Sequence, residues 1–451
     1  MKIILQKLVS KLSPAQIIVV YYFIAVTVSM AMLSLPIALK PNAEWTFMDA
    51  LFTAVSAVSV TGLTTVNISE TFSETGIYLL MFVLQFGGIG VMTLGTFFWL
   101  ILGRKIGLRE RKLIMTDQNL TNLSGLVKLL KEILILIILI EILGAIILGT
   151  YFLKFYSTWN EAFIHGIFAS VSATTNAGFD ITGQSLVPYA NDYFVQLVCI
   201  ILITLGSIGF PVLVETKEYL FNRKSIGRFF FSLNTKLTTI TFLGLLIIGT
   251  LGILILESHH FFKGKTWHEA FFYAFFHSTT TKSAGLTTMD VDQFSDPTLL
   301  FISSLMFIGA SPSSTGGGIR TTTLALNLLF FFHFARGNRS IKVFKRELFE
   351  DDIIKSLVVT MMALIICFFG VIILSITENH PLLSLIFEVA SAFGTTGLSL
   401  GITSDLSTIG KLIIILLMFI GRVGILSFLF IIGGKRVEPN FHYPKEKVII
   451  G

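Results

Sequence analysis

Ser56-Ala-Val-Ser-Val-Thr-Gly62-Leu63 is the first of four similar stretches that decide the fold of this 451-residue chain. The other three are Ser172-Ala-Thr-Thr-Asn-Ala-Gly178-Phe179, Thr279-Thr-Thr-Lys-Ser-Ala-Gly285-Leu286 and Ser391-Ala-Phe-Gly-Thr-Thr-Gly397-Leu398. Their glycines are spaced by 116, 107 and 112 residues. Repetition at a nearly constant spacing indicates tandem structural units.

A second glycine motif follows each of these stretches, with its first glycine 24 to 28 residues later. Its four copies are Phe86-Gly-Gly-Ile-Gly90, Leu205-Gly-Ser-Ile-Gly209, Ile308-Gly309-Ala310 and Ile420-Gly-Arg-Val-Gly424. Two motifs in the same order, four times, predict four copies of one unit of about 110 residues.

The composition places these units in a membrane. Hydrophobic residues make up 53% of the chain, charged residues only 13%, and the mean hydropathy is +0.82. Apolar segments of spanning length lie near 16–38, 76–101, 132–153, 193–214, 237–257, 298–333, 356–376 and 410–432. Shorter segments, too short to cross a bilayer, lie at 46–60, 160–175, 267–281 and 382–395.

The predicted fold is therefore an all-α integral membrane protein of four tandem helix–pore loop–helix repeats. It has eight transmembrane helices and four re-entrant pore helices. The predicted repeats are 14–103, 128–221, 234–335 (with a broken inner helix at 310–318) and 353–433, before a cytoplasmic tail at 434–451. Because the first apolar run ends without a small-residue cleavage site, we expect it to be a retained helix rather than a signal peptide.

The distribution of basic residues predicts the orientation. Of the 33 Lys and Arg residues, 25 lie in the N-terminus, the linkers 103–131, 215–236 and 335–355, and the tail. The positive-inside rule then puts both termini and these linkers in the cytoplasm. The net charge of +6 reflects this topology and not a nucleic-acid surface. The linker 335–355 is either a docking surface or a solvated face near lipid headgroups.

The opposite side carries acidic residues, which would either concentrate cations at an outer mouth or simply solubilise the loops. They are Glu70, Glu74, Asp180, Asp192, Asp290, Asp292 and Asp296.

The four repeated stretches have the chemistry of cation coordination. Backbone carbonyls inside a membrane must be buried in protein or line a wet path, and four such loops around an axis present carbonyl rings that replace a monovalent cation's hydration shell. A single copy could equally be a small-residue packing motif. The candidate coordinating residues are Ser59, Val60, Thr61, Gly62, Thr175, Asn176, Ala177, Gly178, Lys282, Ser283, Ala284, Gly285, Gly394, Thr395, Thr396 and Gly397.

The inner helix of the third repeat is predicted to break, because Pro312 and three consecutive glycines cannot continue an ordinary helix. A polar loop there could gate an ion path; a phosphate-binding loop and a passive kink are the alternatives. The candidate gate consists of Ala310, Ser311, Pro312, Ser313, Ser314, Thr315, Gly316, Gly317 and Gly318, together with Arg422 of the fourth inner helix.

Three basic residues, Lys282, Arg320 and Arg422, lie within the pore-forming segments, where a charge is costly and by default functional. Arg422 would be an electrostatic barrier in the ion path, or it pairs with Glu388 or Glu141 for packing. Lys282 would repel cations from the third loop, so we expect its side chain to point behind the loop, with Glu269 as the candidate partner.

With these residues, the chain resembles the Trk/Ktr/HKT superfamily of potassium transporters, most closely the bacterial Ktr membrane subunit, over essentially its whole length. The resemblance implies one pore with fourfold pseudo-symmetry, and glycine at all four filter positions, including Gly62, implies potassium selectivity. It implies that 310–318 is similar to the family's pore-obstructing loop. It also implies a homodimer in the bacterial cell membrane, resting on a cytosolic ring of nucleotide-binding regulatory subunits.

Two other function classes stay open at this stage. A transporter that couples potassium to sodium or protons usually needs ionisable groups at the midplane, and the candidates are Glu141, Glu161 and Glu388; sodium could also be an activator. An intramembrane enzyme would use His165 and His277, but no HExxH and no nucleophile–base spacing supports catalysis. We therefore expect no enzyme activity, no nucleic-acid partner and no redox role for Cys199 or Cys367.

Overall fold

The computed structural model describes residues 14–90, 126–221, 231–338 and 340–432, together with Arg111, Met115 and Glu446. The N-terminal lysines, most of the linker 103–131, the end of the first predicted repeat beyond residue 90 and nearly all of the predicted tail at 434–451 lie outside these residues.

Each predicted repeat contains a long helix, a short helix and a second helix, in that order. The first contains α1 (Pro14–Leu33), α2 (Phe47–Ser59), the single turn α3 (Ile68–Thr71) and α4 (Glu74–Ile89). The second contains α5 (Leu126–Phe152), α6 (Trp159–Thr175), α7 (Tyr193–Ser207) and α8 (Phe210–Phe221). The third contains α9 (Leu233–Glu257), α10 (Trp267–Thr280), α11 (Asp296–Phe307) and α12 (Thr321–Ala335). The fourth contains α13 (Glu350–Thr377), α14 (Leu382–Gly394), α15 (Thr408–Val423) and α16 (Ile425–Ile432).

The short helices α2, α6, α10 and α14 begin and end within two residues of the predicted segments. Local chemistry explains where they start. Thr46 and Thr266 each form a capping box with the acidic residue three positions later, and the Thr158 side chain accepts from a backbone amide in the first turn of α6. Such caps satisfy amides that have no partner within the helix.

The prediction of a break in the third repeat alone is wrong: among the described residues, the second helix is also interrupted in the second and fourth predicted repeats. Among the described residues, α1, α5, α9 and α13 are individually long and apolar enough to cross a membrane, and α7 with α8 qualifies as a pair bent by 104°. The second helices stop at or next to Gly90, Gly209 and Gly424, which have φ angles of 93°, 104° and 87°. Glycine tolerates this left-handed backbone, so the motif ends the helix.

The first glycines of the second motif lie where the second helices contact the ends of the short helices. A Cβ atom on Gly87 would lie 2.6 Å from the Ala57 carbonyl oxygen, and one on Gly206 or Gly421 would overlap the carbonyl of Thr174 or Phe393. No side chain fits at these distances, so glycine allows the helices to pack backbone to backbone. In the third repeat, Gly309 makes the same kind of contact with Gly317 of its own broken segment.

The linker after α12 forms a small hairpin. Lys342–Val343 (β1) pairs antiparallel with Arg346–Glu347 (β2) around a two-residue turn in which Phe344 and Lys345 have φ of 49° and 62°. It leads into α13, whose first turn carries three acidic residues, and negative charge there stabilises a helix N-terminus.

We expect Gly249→Leu to lower the Tm of the purified protein and Gly244→Leu, on the same helix α9, to leave it nearly unchanged. A Cβ on Gly249 would meet the Ser278 side chain and lie 3.1 Å from Leu305 Cδ1, whereas one on Gly244 meets no atom within 4 Å. Overpacking costs about 1–3 kcal/mol. Thermal unfolding in detergent measures the difference, and equal losses in both variants would contradict this packing.

Candidate cation site at the four glycine loops

The four predicted loops share one backbone conformation, although their sequences differ. We call them the glycine loops: 59–62, 175–178, 282–285 and 394–397. In each, the residue two positions before the glycine and the glycine itself have positive φ. The values are 57° and 92° at Val60 and Gly62, 55° and 69° at Asn176 and Gly178, 77° and 69° at Ser283 and Gly285, and 48° and 93° at Thr395 and Gly397.

This conformation is costly at two of the four positions. Val60 and Thr395 are β-branched, and a β-branched residue with positive φ is a genuine outlier. Strained backbone of this kind costs about 1–3 kcal/mol per residue and clusters at functional sites. The strain at Val60 and Thr395 therefore marks the glycine loops as the candidate site.

Hydroxyl groups one turn before the loops hold the strained backbone in two different ways. Ser56 and Ser391 Oγ accept from the amides of Gly62 and Gly397, each at 3.1 Å. In the second loop, Ser172 Oγ instead donates to the Phe179 carbonyl at 2.6 Å.

The third loop is shifted by one residue relative to the sequence alignment. Thr280, not the aligned Thr279, donates to the Leu286 carbonyl at 2.7 Å. The short helix α10 ends at Thr280, five positions before Gly285, whereas the other three short helices end three positions before their glycines. Thr281, after the end of α10, keeps right-handed helical φ and ψ.

The four glycines contact one another in a closed ring. A Cβ atom on each glycine would contact the carbonyl oxygen of the residue just before the glycine of the next loop. The pairs are Gly62 with Ala177 (2.6 Å), Gly178 with Ala284 (3.0 Å), Gly285 with Thr396, and Gly397 with Thr61. Because the fourth loop meets the first again, the four loops surround one central axis.

This arrangement brings the C-terminal ends of α2, α6, α10 and α14 together at the glycine loops. A helix C-terminus carries partial negative charge, and the backbone carbonyls of the loops add further oxygen atoms. Such a centre suits a monovalent cation stripped of water.

An open cavity of about 280 Å³ adjoins the first two loops; its lining includes Gly62, Gly178 and Asp180. Asp180 is one of the acidic residues that would either concentrate cations at an outer mouth or simply solubilise the loops. It accepts from the backbone amides of Gly183 and Ser185 at 2.8 and 2.9 Å, so it also has a structural role in its own loop.

The predicted gate is a buried segment without helical structure between α11 and α12, which we call the broken segment (310–318). It is hydrogen bonded to three of the glycine loops or their repeats. Gly317 N donates to Ser283 Oγ at 3.2 Å, the Asn176 amide group lies 2.7 Å from Thr315 Oγ1, and Gly318 N donates to the Gly421 carbonyl at 3.2 Å.

The broken segment also contacts the interruption between α7 and α8. Ser311 N donates to the Ser207 carbonyl at 3.0 Å, and Phe210 N donates to the Ser313 carbonyl at 2.7 Å. A Cβ on Gly209 would lie 2.8 Å from the Pro312 carbonyl oxygen. The helix break in the second repeat is therefore the surface that receives the broken segment of the third.

Two arginines fix the broken segment through its carbonyl oxygens. Arg422 donates to the carbonyls of Thr315 and Gly87, and it lies 3.5 Å from that of Gly316. Arg320 donates to the same Gly316 carbonyl. Arg422 thus connects the third and fourth repeats to the first.

The acids proposed as packing partners of Arg422 have other partners. Glu388 accepts from the Ser399 and Thr403 hydroxyls at 2.8 and 2.5 Å, and Glu141 accepts from Gln85 Nε2 at 2.7 Å.

The prediction of Glu269 as the partner of Lys282 is wrong. Lys282 is fully buried, and its Nζ donates to the Ile308 carbonyl at the end of α11 at 3.3 Å. Glu269 lies in the first turn of α10, where its carboxylate accepts from the Thr266 amide at 2.8 Å. The two residues are at opposite ends of one helix, which the spacing of 13 positions in the sequence already implied.

The two histidines weighed for catalysis pack against different aromatic residues. His165 stacks on Tyr156, with ring centroids 4.3 Å apart. His277 is fully buried and packs edge-on against Phe294 at 5.1 Å. Both have the aromatic packing of structural residues.

A family model described as "Cation transport protein" and named TrkH matches residues 6–433. The chain belongs to the TrkH family.

Named relatives of this TrkH-family chain match it over almost its full length. Ktr system potassium uptake protein D of Bacillus subtilis is 63% identical, with 99% of each chain covered. Ktr system potassium uptake protein B of the same organism is 36% identical over 98% of this chain and 97% of that protein. Potassium/sodium uptake protein NtpJ of Enterococcus hirae is 35% identical over the whole of both.

The fold also matches a solved structure. The potassium transporter TrkH from Vibrio parahaemolyticus superposes with a TM-score of 0.70, covering 93% of this chain and 85% of that one, at 20% identity. The mostly helical architecture of the described residues is thus similar to that of this solved structure. The family match and the long apolar helices make the chain a multi-pass membrane protein.

Sequence reasoning gave no role to Arg320 or Gly87 of this TrkH-family chain, although both hold the broken segment. Arg320 could have been found from its position, because it is a charged residue two positions after Gly318 in an otherwise apolar span. The role of Gly87 could not have been found in this way, because Gly87 acts through its backbone carbonyl oxygen, a group that every residue has.

We expect Arg422→Ala to expose the broken segment. In a Ser314→Cys background, removing the guanidinium should increase the rate of thiol labelling several-fold, because Ser314 is only 8% exposed while Arg422 holds the neighbouring carbonyls. Lys411→Ala, on the same helix α15, is the matched control and should leave the rate unchanged. Equal labelling rates in all three proteins would contradict the role given to Arg422.

Proposed function

We propose that this chain is the potassium-conducting subunit of a cation uptake system, with the glycine loops as its selectivity filter. The observation that supports this most strongly is the closed ring in which each loop glycine contacts a carbonyl of the next loop. The names of the relatives support the choice of ion, since those in Bacillus subtilis are potassium uptake proteins.

In this proposal, potassium is the cargo and backbone oxygens are its ligands. The four loops would each contribute one quadrant of the filter, from the residues 59–62, 175–178, 282–285 and 394–397. Carbonyl rings can replace the hydration shell of a potassium ion without a formal charge, which lets the ion leave as readily as it enters. The Lys282 ammonium is bound to the Ile308 carbonyl, so its charge does not have to occupy the ion path.

The pore would have fourfold pseudo-symmetry, with repeats at 14–103, 128–221, 234–335 and 353–433 and four re-entrant pore helices. Three features support it: the matching backbone angles of the loops, the cyclic order of their contacts and the short helix before each loop.

The broken segment would be the gate. It lies next to the loops, where Thr315 and Gly317 contact Asn176 and Ser283. A segment held by several hydrogen bonds closes a path until those bonds are exchanged. Because Arg422 binds it, a change in the fourth repeat could release it, and the guanidinium would add an electrostatic barrier to cations.

A second candidate is a potassium symporter coupled to sodium or protons, with sodium alternatively an activator. The observation in favour is the relative NtpJ, which is named for potassium and sodium uptake. Glu141 and Glu388 are buried at membrane depth, but neither contacts the glycine loops through a hydrogen bond that would link its charge to the ion path.

For assembly and location, we propose a homodimer in the bacterial cell membrane with cytoplasmic termini. A cytosolic nucleotide-binding ring would bind on the cytoplasmic side of this dimer. The hairpin Lys342–Glu347 with its exposed Phe344, followed by the exposed Phe349, offers a surface to that ring. The exposed apolar faces of α5, α9 and α13 fit contact with lipid or with a second copy.

We expect Gly62→Ser to reduce the preference for potassium over sodium in proteoliposome flux assays at least several-fold. The matched control is Gly401→Ser. Both glycines have positive φ, 92° and 83°, so the backbone strain is similar, but a Cβ at Gly401 meets no atom within 4 Å. A serine at Gly62 would instead displace the Ala177 carbonyl, which lies 2.6 Å from the Cβ position.

The driving force separates the two candidate functions in the same assay. Potassium and rubidium uptake driven by membrane voltage alone supports a conductor. Uptake that requires a sodium or proton gradient supports the symporter, and identical selectivity in the wild type, Gly62→Ser and Gly401→Ser would overturn the filter assignment.

A further inference from the structure

Glu141 and Gln85 form a buried pair that the proposed ion path does not use. Glu141 lies on α5 and Gln85 on α4, so the pair joins the first and second repeats. Gln85 Nε2 donates to Glu141 Oε2 at 2.7 Å. The Glu141 residue is only 8% exposed, and the adjacent Ser170 hydroxyl donates to the Glu141 backbone carbonyl at 2.8 Å.

Two oxygen atoms of this pair are buried without a hydrogen-bond partner: Glu141 Oε1 and Gln85 Oε1. An ionised carboxylate and an amide oxygen can only accept, so they cannot satisfy each other. Each buried oxygen left in this way costs about 1–3 kcal/mol. A hydrogen on the carboxyl group that bridges these two oxygens would give each of them a partner and so remove both costs.

Among the described residues, no ion pair includes Glu141. The ion pairs found there are Lys128–Glu132, His260–Glu257 and Lys355–Asp352. Arg422 on α15 binds the carbonyl of Gly87, two residues after Gln85 on α4. An uncompensated carboxylate at membrane depth is costly, which favours the neutral acid.

The other ionisable groups on α4 and α5 lie at least seven positions in the sequence from Gln85 or Glu141. On α6, His165 precedes Ser170 by five positions. The full set is Glu161 and His165 on α6, Tyr193 and Cys199 on α7, Glu215, Lys217, Glu218 and Tyr219 on α8, Glu74 and Tyr78 on α4, and Lys128, Lys131, Glu132 and Tyr151 on α5 itself.

We propose that Glu141 is a proton-binding site between the first two repeats, occupied at neutral pH. The undissociated acid donates from Oε1 to Gln85 Oε1, while Gln85 Nε2 donates to Oε2. These two bonds close a ring between an acid and an amide, and every oxygen of the pair then has a partner. Binding takes up one proton and neutralises the carboxylate.

The site has a consequence for the neighbouring contacts. Gly87, two residues after Gln85 on α4, provides the carbonyl that Arg422 binds. The protonated pair therefore fixes α4 where it anchors the arginine that holds the broken segment. Loss of the proton would leave a carboxylate facing an amide oxygen and push α4 away from α5.

Infrared difference spectroscopy tests the proposal without any transport assay. At neutral pH, the wild-type spectrum minus that of Glu141→Gln should contain the carbonyl stretch of an undissociated carboxylic acid. The matched control is Glu132→Gln on the same helix. Glu132 lies 3.8 Å from Lys128 and is partly exposed, so its difference spectrum should contain only carboxylate bands. Gln85→Ala should move the acid band to higher frequency, because the acid loses its acceptor.

Carboxylate bands in the Glu141→Gln difference spectrum at neutral pH would overturn the proposal. If those bands appear only when sodium is present, the pair binds a cation and not a proton. If Glu141→Gln does not fold, the wild-type spectrum minus that of Gln85→Ala provides the same test.

Thermal unfolding gives an independent readout. An unfolded glutamic acid releases its proton above about pH 4.3, whereas the folded protein retains it at neutral pH. Stability should therefore fall as pH rises from that value until the folded protein also releases the proton. We expect the Tm of the wild type to fall relative to that of Glu141→Gln from mildly acidic to mildly alkaline pH. Parallel Tm curves for the two proteins would contradict a proton at Glu141.

Discussion

The structure depends on the close approach of four loop glycines to the carbonyl oxygens of the neighbouring loops. At Gly62 a Cβ atom would lie 2.6 Å from a carbonyl of the next loop, and at Gly285 and Gly397 the approach is closer still. Three structural features around the loops support this contact. The short helices deliver the chain to the centre, hydroxyl groups hold its left-handed turns, and glycines in the second helices let those helices pack against the short-helix ends.

The broken segment makes the described structure asymmetric around the glycine loops. It is without helical structure over nine residues between α11 and α12, and its polar backbone contacts the second, third and fourth predicted repeats directly. Through Arg422 it is also connected to Gly87 of the first. One segment is therefore connected to all four predicted repeats.

The charged side chains buried in this membrane protein form hydrogen bonds mainly with neutral groups. Arg320, Arg422 and Lys282 donate to backbone carbonyls, and Glu388 accepts from two hydroxyls. Dipolar partners satisfy a buried charge without creating a strong ion pair, which is difficult to separate in a low dielectric. Glu141, paired with an amide, fits the same pattern when it carries a proton.

Sequence alone determined the features that depend on local chemistry and repetition. The duplicated glycine motifs and apolar segments predicted the four short helices to within two residues, the break in the third repeat and the family. Tertiary structure decided what depends on contacts between distant backbone atoms. The partner of Lys282 is a carbonyl and not Glu269, the second helices of the second and fourth predicted repeats are also interrupted, and the Gly87 carbonyl binds Arg422 across 335 positions. The physical reason is that every residue has a backbone carbonyl, so no sequence pattern marks the few carbonyls that bind a buried charge.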